Sequence, residues 1–418
     1  MTSAIAARYK CEGPKRILSL DGGGTRGIVT LCFLEEIEAT LRKKLGRPDL
    51  VLSDYFDLIG GTSVGSMIAT LLATGKDVAY VRNLFEAWAP RIFDPASWGV
   101  VDHMYDARVL RGLVQTEVFD WPLGSEKIKT GLCIVAKRAD TGSIWPIVNN
   151  PAGPYFASRP GVGNTPIRKG NADYKLLDLI RASTAAPRYF SPAHIGIFEG
   201  VDDYGNPSRG QFVDGGVSPH NNPALQLFMM AGITGYNLGG GALEPRGERR
   251  AWKLGADNLL IVSVGTGSYE QGAERSRVAA LEAVFALQGM IADGQELGLT
   301  LLQWMSVPAR SWHVDRVVGD LSHDLLGDGA GLQQPLLSFH RYDVRLDEAW
   351  LSRAENVGAS MSRESRTQSD LKGMQDFTNA AAIAPLARLA TDAAKIQVDA
   401  AHFPAAFDQI WSIGRAIG

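Results

Sequence analysis

The chain has 418 residues, of which 45% are hydrophobic and 21% charged, a composition typical of globular proteins. Forty-two Lys and Arg residues stand against 45 Asp and Glu, and this balance lacks the basic excess of a general nucleic-acid binder. The first residues do not form a secretory signal, and no stretch has the roughly 20 apolar residues that a membrane-spanning helix needs. We therefore expect a cytoplasmic protein that contacts membranes only transiently, at their surface.

The predicted elements begin with a buried strand at residues 16–20, a glycine-rich turn at 21–27 and a helix at 28–44. The same order of strand, tight turn and helix is predicted at residues 55–59, 60–65 and 66–74. Gly75 is placed to end this second helix in a left-handed cap. Further strands are predicted at residues 131–136, 211–213 and 259–264. Strands that alternate with helices predict an α/β protein, with a mainly parallel sheet covered by helices on both faces.

The pattern Gly61-Thr62-Ser63-Val64-Gly65 lies between a predicted strand and a predicted helix. A serine on such a sharp turn needs small neighbours, and its hydroxyl is presented above the sheet near the N-terminus of the next helix. Ser63 is therefore the candidate nucleophile. The alternative interpretation is a tight turn with a purely structural role.

A nucleophilic serine needs N–H donors for the oxyanion, and a run of glycines lets backbone N–H groups converge on one anion. The candidate donor loop consists of Gly22, Gly23, Gly24, Thr25, Arg26 and Gly27. Its spacing also fits a dinucleotide-binding fingerprint, but no acidic residue ends a second strand about 20 residues later. A phosphate-binding P-loop is excluded because no Gly-Lys-Ser/Thr follows.

Asp214, followed by Gly215 and Gly216 at the end of a predicted strand, is the candidate general base. A Ser-His-Asp esterase would need a histidine beyond Asp214, for which His340 and His402 are the candidates. The residues alone do not decide between a dyad and a triad. No His, Cys or carboxylate group has metal-ligand spacing, so we expect neither a metal nor a cofactor.

The three blocks at residues 21–27, 61–65 and 214–216 resemble the signature blocks of the patatin-like phospholipases. Residues 181–190 and 260–267 resemble two accessory blocks, and weaker similarity continues through residues 339–342. The resemblance implies a three-layer α/β/α fold and a Ser63–Asp214 dyad without a metal. It also implies an oxyanion hole around Gly23, Gly24 and Thr25, with Arg26 ordering the loop or attracting a lipid phosphate.

The resemblance further implies three parts: an N-terminal segment at residues 1–14, a catalytic domain at 15–270, and a mostly helical C-terminal part at 271–418 packed on it. Its substrates would be phospholipids or other acyl lipids at a membrane surface. Candidate membrane contacts are Trp98, Val100, Val101, Met104, Arg159, Arg168 and Lys169.

Some members of the family are phospholipase effectors of bacterial anti-phage defence that cyclic nucleotides activate. The sequence contains no motif that identifies such a site, and the arginine-containing loop at residues 235–250 is the only patch that suggests a phosphate ligand. A further alternative is a nucleotide- or lipid-binding module that kept the glycine turns without catalysis. A small-molecule activator therefore stays open, and the residues do not indicate an oligomeric state.

Overall fold

The computed structural model describes residues 4–94, 104–159, 167–201, 207–240, 248–269, 279–314, 319–321, 325–326, 334–353, 356 and 368–410. Nine strands in these ranges form one sheet. They are β1 (Lys15–Leu20), β2 (Leu58–Thr62), β3 (Gly131–Arg138), β4 (Ile144–Val148), β5 (Ala193–Val201), β6 (Pro207–Asp214), β7 (Leu259–Val264), β8 (Ser306–Val307) and β9 (Leu337–Tyr342). Their order is β5-β6-β3-β2-β1-β7-β9-β8, and β4 pairs with β3 outside this path.

Helices cover both faces of this sheet. They are α1 (Ala4–Lys10), α2 (Gly27–Leu45), α3 (Leu52–Tyr55), α4 (Val64–Ala73), α5 (Val78–Ile92), α6 (Ala107–Val118), α7 (Leu176–Ser183), α8 (Ala224–Gly232), α9 (Ala279–Trp304), α10 (Glu348–Leu351), α11 (Gln368–Gln375) and α12 (Ile383–Gln397). None of these helices is both long and apolar enough to cross a membrane.

Two hydrophobic clusters lie on opposite faces of the sheet. In β1, Leu18 and Leu20 belong to the cluster under α2, α4, α5, α7 and α12, whereas Ile17 belongs to the cluster under α1, α8 and α9. Successive residues of a strand point to opposite faces, so this alternation places one helical layer on each side. The sheet is mostly parallel, with antiparallel pairs at β3–β4, β3–β6 and β5–β6. The predicted α/β/α architecture is confirmed.

The first predicted unit is confirmed within one residue at each boundary, but the predicted strand at residues 55–59 is wrong. Residues 52–55 form a helix, and β2 starts only at Leu58. Gly60 and Gly61 belong to this strand instead of the turn. A Cβ at Gly60 would lie 2.6 Å from Leu227, and one at Gly61 would lie 2.2 Å from the carbonyl oxygen of Gly65. Glycine is therefore needed in the strand because neighbouring elements approach it closely.

The predicted helix at residues 66–74 begins earlier, at Val64, and Gly75 follows it with φ +89° as expected of a left-handed cap. The strands β4, β5, β8 and β9 were not predicted. β9 lies in the part expected to be mostly helical, yet it pairs in parallel with β7 inside the central sheet. All residues of Leu337–Tyr342 are buried, but Ser338, His340 and Arg341 interrupt the apolar run by which a fully buried strand is recognised.

Candidate active site

Ser63 lies on the sharp connection between β2 and α4. Its backbone has φ +54° and ψ −127°, a conformation that a non-glycine residue adopts only at a cost of roughly 1–3 kcal/mol. A Cβ at Gly65 would lie 2.4 Å from the carbonyl oxygen of Leu20, so the turn also requires glycine there. Thr62 donates from its hydroxyl to the carbonyl oxygen of His220 at 2.8 Å. The close packing at Gly65 and the hydrogen bond of Thr62 thus fix the strained turn on both sides of Ser63.

The central strand β3 brings Asp214 to this turn. β2 pairs in parallel with β3 up to Thr62 opposite Val135, and β6 pairs antiparallel with the next residues, with Asp214 opposite Ala136. Both β2 and β6 overlap with β4 in their pairing with β3, so they lie on the same edge of β3, opposite to β4. The two strands therefore approach from opposite directions, and their ends meet next to Ser63.

At this meeting point the Ser63 Oγ donates a hydrogen bond of 2.6 Å to Oδ2 of Asp214. The other carboxylate oxygen accepts from the N–H of Gly216 at 2.7 Å. Asp214 is only 4% exposed, and this burial raises the pKa of its carboxyl to about 6, although both hydrogen bonds act in the opposite direction. The carboxyl is therefore ionised at neutral pH but is more basic than an exposed aspartate.

Ser183, at the end of α7, is a site residue that sequence reasoning missed. Its fully buried hydroxyl accepts a 2.8 Å hydrogen bond from the N–H of Ser63 and donates one of 2.6 Å to the carbonyl oxygen of Val135. It thereby joins the turn to β3. Ser183 belongs to the accessory block at residues 181–190, but nothing in the local sequence reveals where its hydroxyl points.

Arg181, two residues earlier on α7, places a buried positive charge near Asp214. Burial lowers the pKa of its guanidinium to about 10, while attraction to Asp214 raises it. The side chain is held by a hydrogen bond to the Ser191 hydroxyl at 3.2 Å and lies over the ring of Phe190. It stays charged at neutral pH and favours the ionised form of Asp214.

Most N–H groups of the glycine loop already have acceptors. Gly22 donates to the carbonyl oxygen of Asn221 at 3.1 Å, Thr25 to that of Phe377 at 2.7 Å, and Arg26 to that of Gly23 at 3.1 Å. The N–H of Gly27 bonds within the loop itself. Among the described residues, no acceptor is present for the N–H groups of Gly23 and Gly24. These two donors lie beside Ser63 on the wall of one cavity.

Residues distant in the sequence hold this loop in place through hydrogen bonds and ion pairs. The Thr266 hydroxyl donates to the carbonyl oxygen of Gly22 at 2.9 Å, and the Asn221 amide donates to the same oxygen at 3.3 Å. Arg341 of β9 binds both carboxylate oxygens of Asp21 at 3.1 and 2.8 Å, and Asp343 at 2.8 Å. All three charged groups are buried. The loop is therefore held by segments that follow β6, β7 and β9.

Arg26 points back into the protein and helps to order the loop. It donates to the carbonyl oxygen of Gly267 at 2.9 Å, and its guanidinium lies 5.4 Å from the ring centre of Tyr269. These contacts match the first of its two expected roles, the ordering of the loop.

The histidines proposed for a triad lie elsewhere. His340 is buried in β9, three strands from β2 and thus about 14 Å away across the sheet. Burial lowers the pKa of its imidazole to about 3. His402 forms a 2.8 Å hydrogen bond with the hydroxyl of Tyr342, also on β9. The hydrogen bonds that Asp214 accepts within the described part of the chain come from Ser63 and Gly216, not from histidine.

A cavity of about 340 Å³ opens above Ser63 and Asp214. Its lining includes the glycine loop and a set of apolar side chains: Phe85, Ala89, Ile92, Phe93, Leu110 and Phe190. A cavity that combines a serine hydroxyl and free N–H donors with apolar side chains can accommodate an ester of a long apolar acid.

Comparison with known proteins agrees with this geometry. A family model described as patatin-like phospholipase matches residues 18–228, which include both Ser63 and Asp214. The chain belongs to the patatin-like phospholipase family. Thr266, Arg341 and Phe377 lie beyond the matched range, although each of them contacts the glycine loop of this patatin-like protein.

Several curated proteins resemble this patatin-like chain. A "cGAMP-activated phospholipase" of Escherichia coli is 29% identical over 82% of this chain and 86% of its own length. Another of Vibrio cholerae is 28% identical over 87% of this chain and 94% of its own length. "Patatin group M-1" of Solanum tuberosum is 28% identical over 64% of each chain.

The surface residues considered for membrane contact are only partly described. Trp98, Val100 and Val101 lie outside the described residues, as do residues 241–247 of the arginine-containing loop. Arg168 lies between two aromatic rings, 5.4 Å from the ring centre of Trp145 and 4.9 Å from that of Tyr155. These two cation–π contacts hold the exposed Arg168 side chain next to the aromatic rings.

Proposed function

We propose that this protein hydrolyses fatty acyl esters of phospholipids through a dyad of Ser63 and Asp214. The observation that carries the proposal is the 2.6 Å hydrogen bond from the Ser63 hydroxyl to the buried Asp214 carboxylate, inside a cavity that the glycine loop also lines. The proposal requires transient binding to a bilayer surface, since its substrate resides there.

In the proposed reaction, the Ser63 Oγ attacks the ester carbonyl carbon while Oδ2 of Asp214 accepts the hydroxyl proton. The negative charge that develops on the carbonyl oxygen is stabilised by the N–H groups of Gly23 and Gly24. Of the three expected donors Gly23, Gly24 and Thr25, we retain the first two, because the N–H of Thr25 already donates to the carbonyl oxygen of Phe377. Collapse of the intermediate breaks the ester bond, and the leaving alcohol takes the proton from Asp214.

The acyl group then remains on the Ser63 Oγ until water attacks it. Asp214 accepts a proton from this water, and the second tetrahedral intermediate releases the fatty acid as the proton returns to the Ser63 oxygen. A carboxyl whose pKa is about 6 suits both steps, because it is mostly ionised above pH 7 and yet binds a proton more readily than an exposed aspartate. Arg181 would keep Asp214 ionised between turnovers.

We also propose that a small molecule activates the enzyme, with cGAMP as the first candidate. Two relatives named cGAMP-activated phospholipases match 82% and 87% of this chain, far more than the part that contains the dyad. The similarity thus includes C-terminal segments that contact the glycine loop.

The test is the release of free fatty acid from mixed phospholipid vesicles, with and without cGAMP. We expect release by the unchanged protein and its loss in Ser63→Ala and Asp214→Asn. Ser143→Ala, at an exposed serine, serves as the matched control. Labelling by a fluorophosphonate probe, compared with Ser63→Ala, reports the nucleophile independently of the lipid. Absence of both release and labelling in every condition would overturn the proposed function, and release that cGAMP does not change would overturn the activation.

A further inference from the structure

Phe377, just after α11, reaches the catalytic cavity from the far end of the chain. Its carbonyl oxygen accepts the 2.7 Å hydrogen bond from the N–H of Thr25, and its side chain lines the same cavity as Ser63. This residue lies outside both the signature blocks and the range of the family match. Nothing in the pattern Asp376-Phe377-Thr378 suggests a role at an active site.

The contact between Phe377 and the glycine loop is very close. A Cβ at Gly24 would lie 2.1 Å from the carbonyl oxygen of Phe377 and 2.9 Å from Cδ2 of its ring. Gly24 also has φ +56°, in the left-handed region. Both the backbone conformation and the space at position 24 therefore require glycine, and the Phe377 ring packs directly against a residue that we propose as an oxyanion donor.

The ring of Phe377 forms one end of an aromatic wall. It contacts Tyr189 edge-on with ring centres 4.8 Å apart, and Tyr189 stacks on Tyr105 at 6.3 Å. Tyr105 in turn contacts Phe93 edge-on at 5.4 Å. The aromatic wall, defined by these four residues, runs from the glycine loop to the end of α5. Phe377 lies against Gly24 and Phe93 directly follows α5, and both side chains line the cavity.

We propose that Phe377 is a specificity-determining residue whose ring limits the bulk of the acyl group next to the ester carbonyl. The inference rests on the proposed function of the same site. A carbonyl oxygen bound by the N–H groups of Gly23 and Gly24 would lie about 3 Å from them. The substituents on the neighbouring α-carbon then face the ring of Phe377, so an unbranched acyl group fits and an α-methyl branch meets the ring.

The experiment compares kcat/KM for p-nitrophenyl esters of straight-chain acids with those of the same acids carrying a 2-methyl branch, with cGAMP in every arm. A methyl group in an apolar pocket changes kcat/KM by about 10–200-fold. We expect Phe377→Ala to raise the ratio of branched to straight-chain kcat/KM by at least about tenfold. Phe377→Leu, which preserves apolar packing, should raise it less and serves if the alanine variant does not fold.

Two matched controls remove a phenyl ring elsewhere. Phe93→Ala, at the other end of the aromatic wall, should change the preferred length of the acyl chain but not the branched ratio. Phe119→Ala, at a ring that is 57% exposed, should change neither. An unchanged branched ratio in both Phe377 variants overturns the inference, and so does an equal rise in Phe93→Ala. If the unchanged protein hydrolyses no ester and Ser63 is not labelled, the proposed function fails instead.

Discussion

The substitution Asp214→Asn should remove activity and at the same time stabilise the fold at high pH. The amide has the shape of the carboxylate, so its oxygen can still accept from the N–H of Gly216 while its NH₂ donates to the Ser63 hydroxyl. Both hydrogen-bonding contacts can therefore still form, but the amide cannot accept the proton of the Ser63 hydroxyl. Because general base catalysis contributes about 10²–10⁴-fold, we expect kcat to fall by at least this factor.

The expected gain in stability follows from the pKa of Asp214. Burial raises this pKa from 3.8 to about 6, and each unit corresponds to about 1.4 kcal/mol. A carboxyl with a raised pKa stabilises the folded state below the unfolded pKa, and this contribution is lost as the pH rises through about 6. The ionised group therefore costs the wild-type fold about 2 kcal/mol at pH 8 relative to pH 4, where the unfolded carboxyl is already partly ionised. Asparagine has no such cost at either pH.

Urea unfolding of the wild type and of Asp214→Asn at pH 4 and pH 8 measures this difference. The free energy of unfolding of the variant, relative to that of the wild type, should be about 2 kcal/mol higher at pH 8 than at pH 4. Effects of the substitution that do not depend on pH cancel in this comparison. A relative stability that is the same at both pH values would refute the argument that Asp214 is held as an energetically costly buried base.

Three further predictions concern groups around the dyad. The kcat/KM for a soluble ester should rise with pH with an apparent pKa of about 6, since Asp214 must be ionised to act as base, and a flat profile between pH 5 and 8 would contradict its role. Ser183→Ala removes the acceptor of the Ser63 N–H and should destabilise the fold by about 1–3 kcal/mol in urea unfolding, with a lower kcat and an unchanged KM. Arg341→Met leaves Asp21 as an unpaired buried carboxylate and should lower the free energy of unfolding by about 3–5 kcal/mol, which a lower Tm would report. An unchanged Tm would show that the ion pair is dispensable.

Sequence reasoning selected Ser63, Asp214 and the glycine loop, which the structure brings together at one cavity, because the roles proposed for them impose local demands. A sharp turn with a positive φ and a close backbone approach selects small residues at fixed positions, and such a selection is visible in the amino-acid sequence. The same reasoning placed β2 three residues too early. It assigned the aromatic pair Tyr55-Phe56 to a strand and treated Gly60-Gly61 as a turn, whereas packing of α4 and α8 against β2 is what requires those two glycines.

Ser183, Asn221 and Phe377 could not be predicted in the same way. Each contacts segments distant in the chain through hydrogen bonds or ring contacts, and nothing in the neighbouring residues indicates those contacts. The strand β9 was missed for a related reason, because its polar residues are buried by contacts with distant segments, such as that of Arg341 with Asp21, and interrupt the apolar run of a buried strand. Tertiary placement, not local pattern, determines these features.

Both local and distant residues determine which N–H groups of the glycine loop are available to a ligand. A glycine-rich segment supplies several N–H groups, but only those without an internal acceptor can bind an oxyanion. Asn221 and Phe377 provide carbonyl oxygens for the N–H groups of Gly22 and Thr25, which leaves Gly23 and Gly24 beside Ser63. The chain around residue 377 therefore selects which donors of the loop remain available. Under the proposed mechanism, a change at a C-terminal residue that does not touch Ser63 would therefore alter the stabilisation of the transition state.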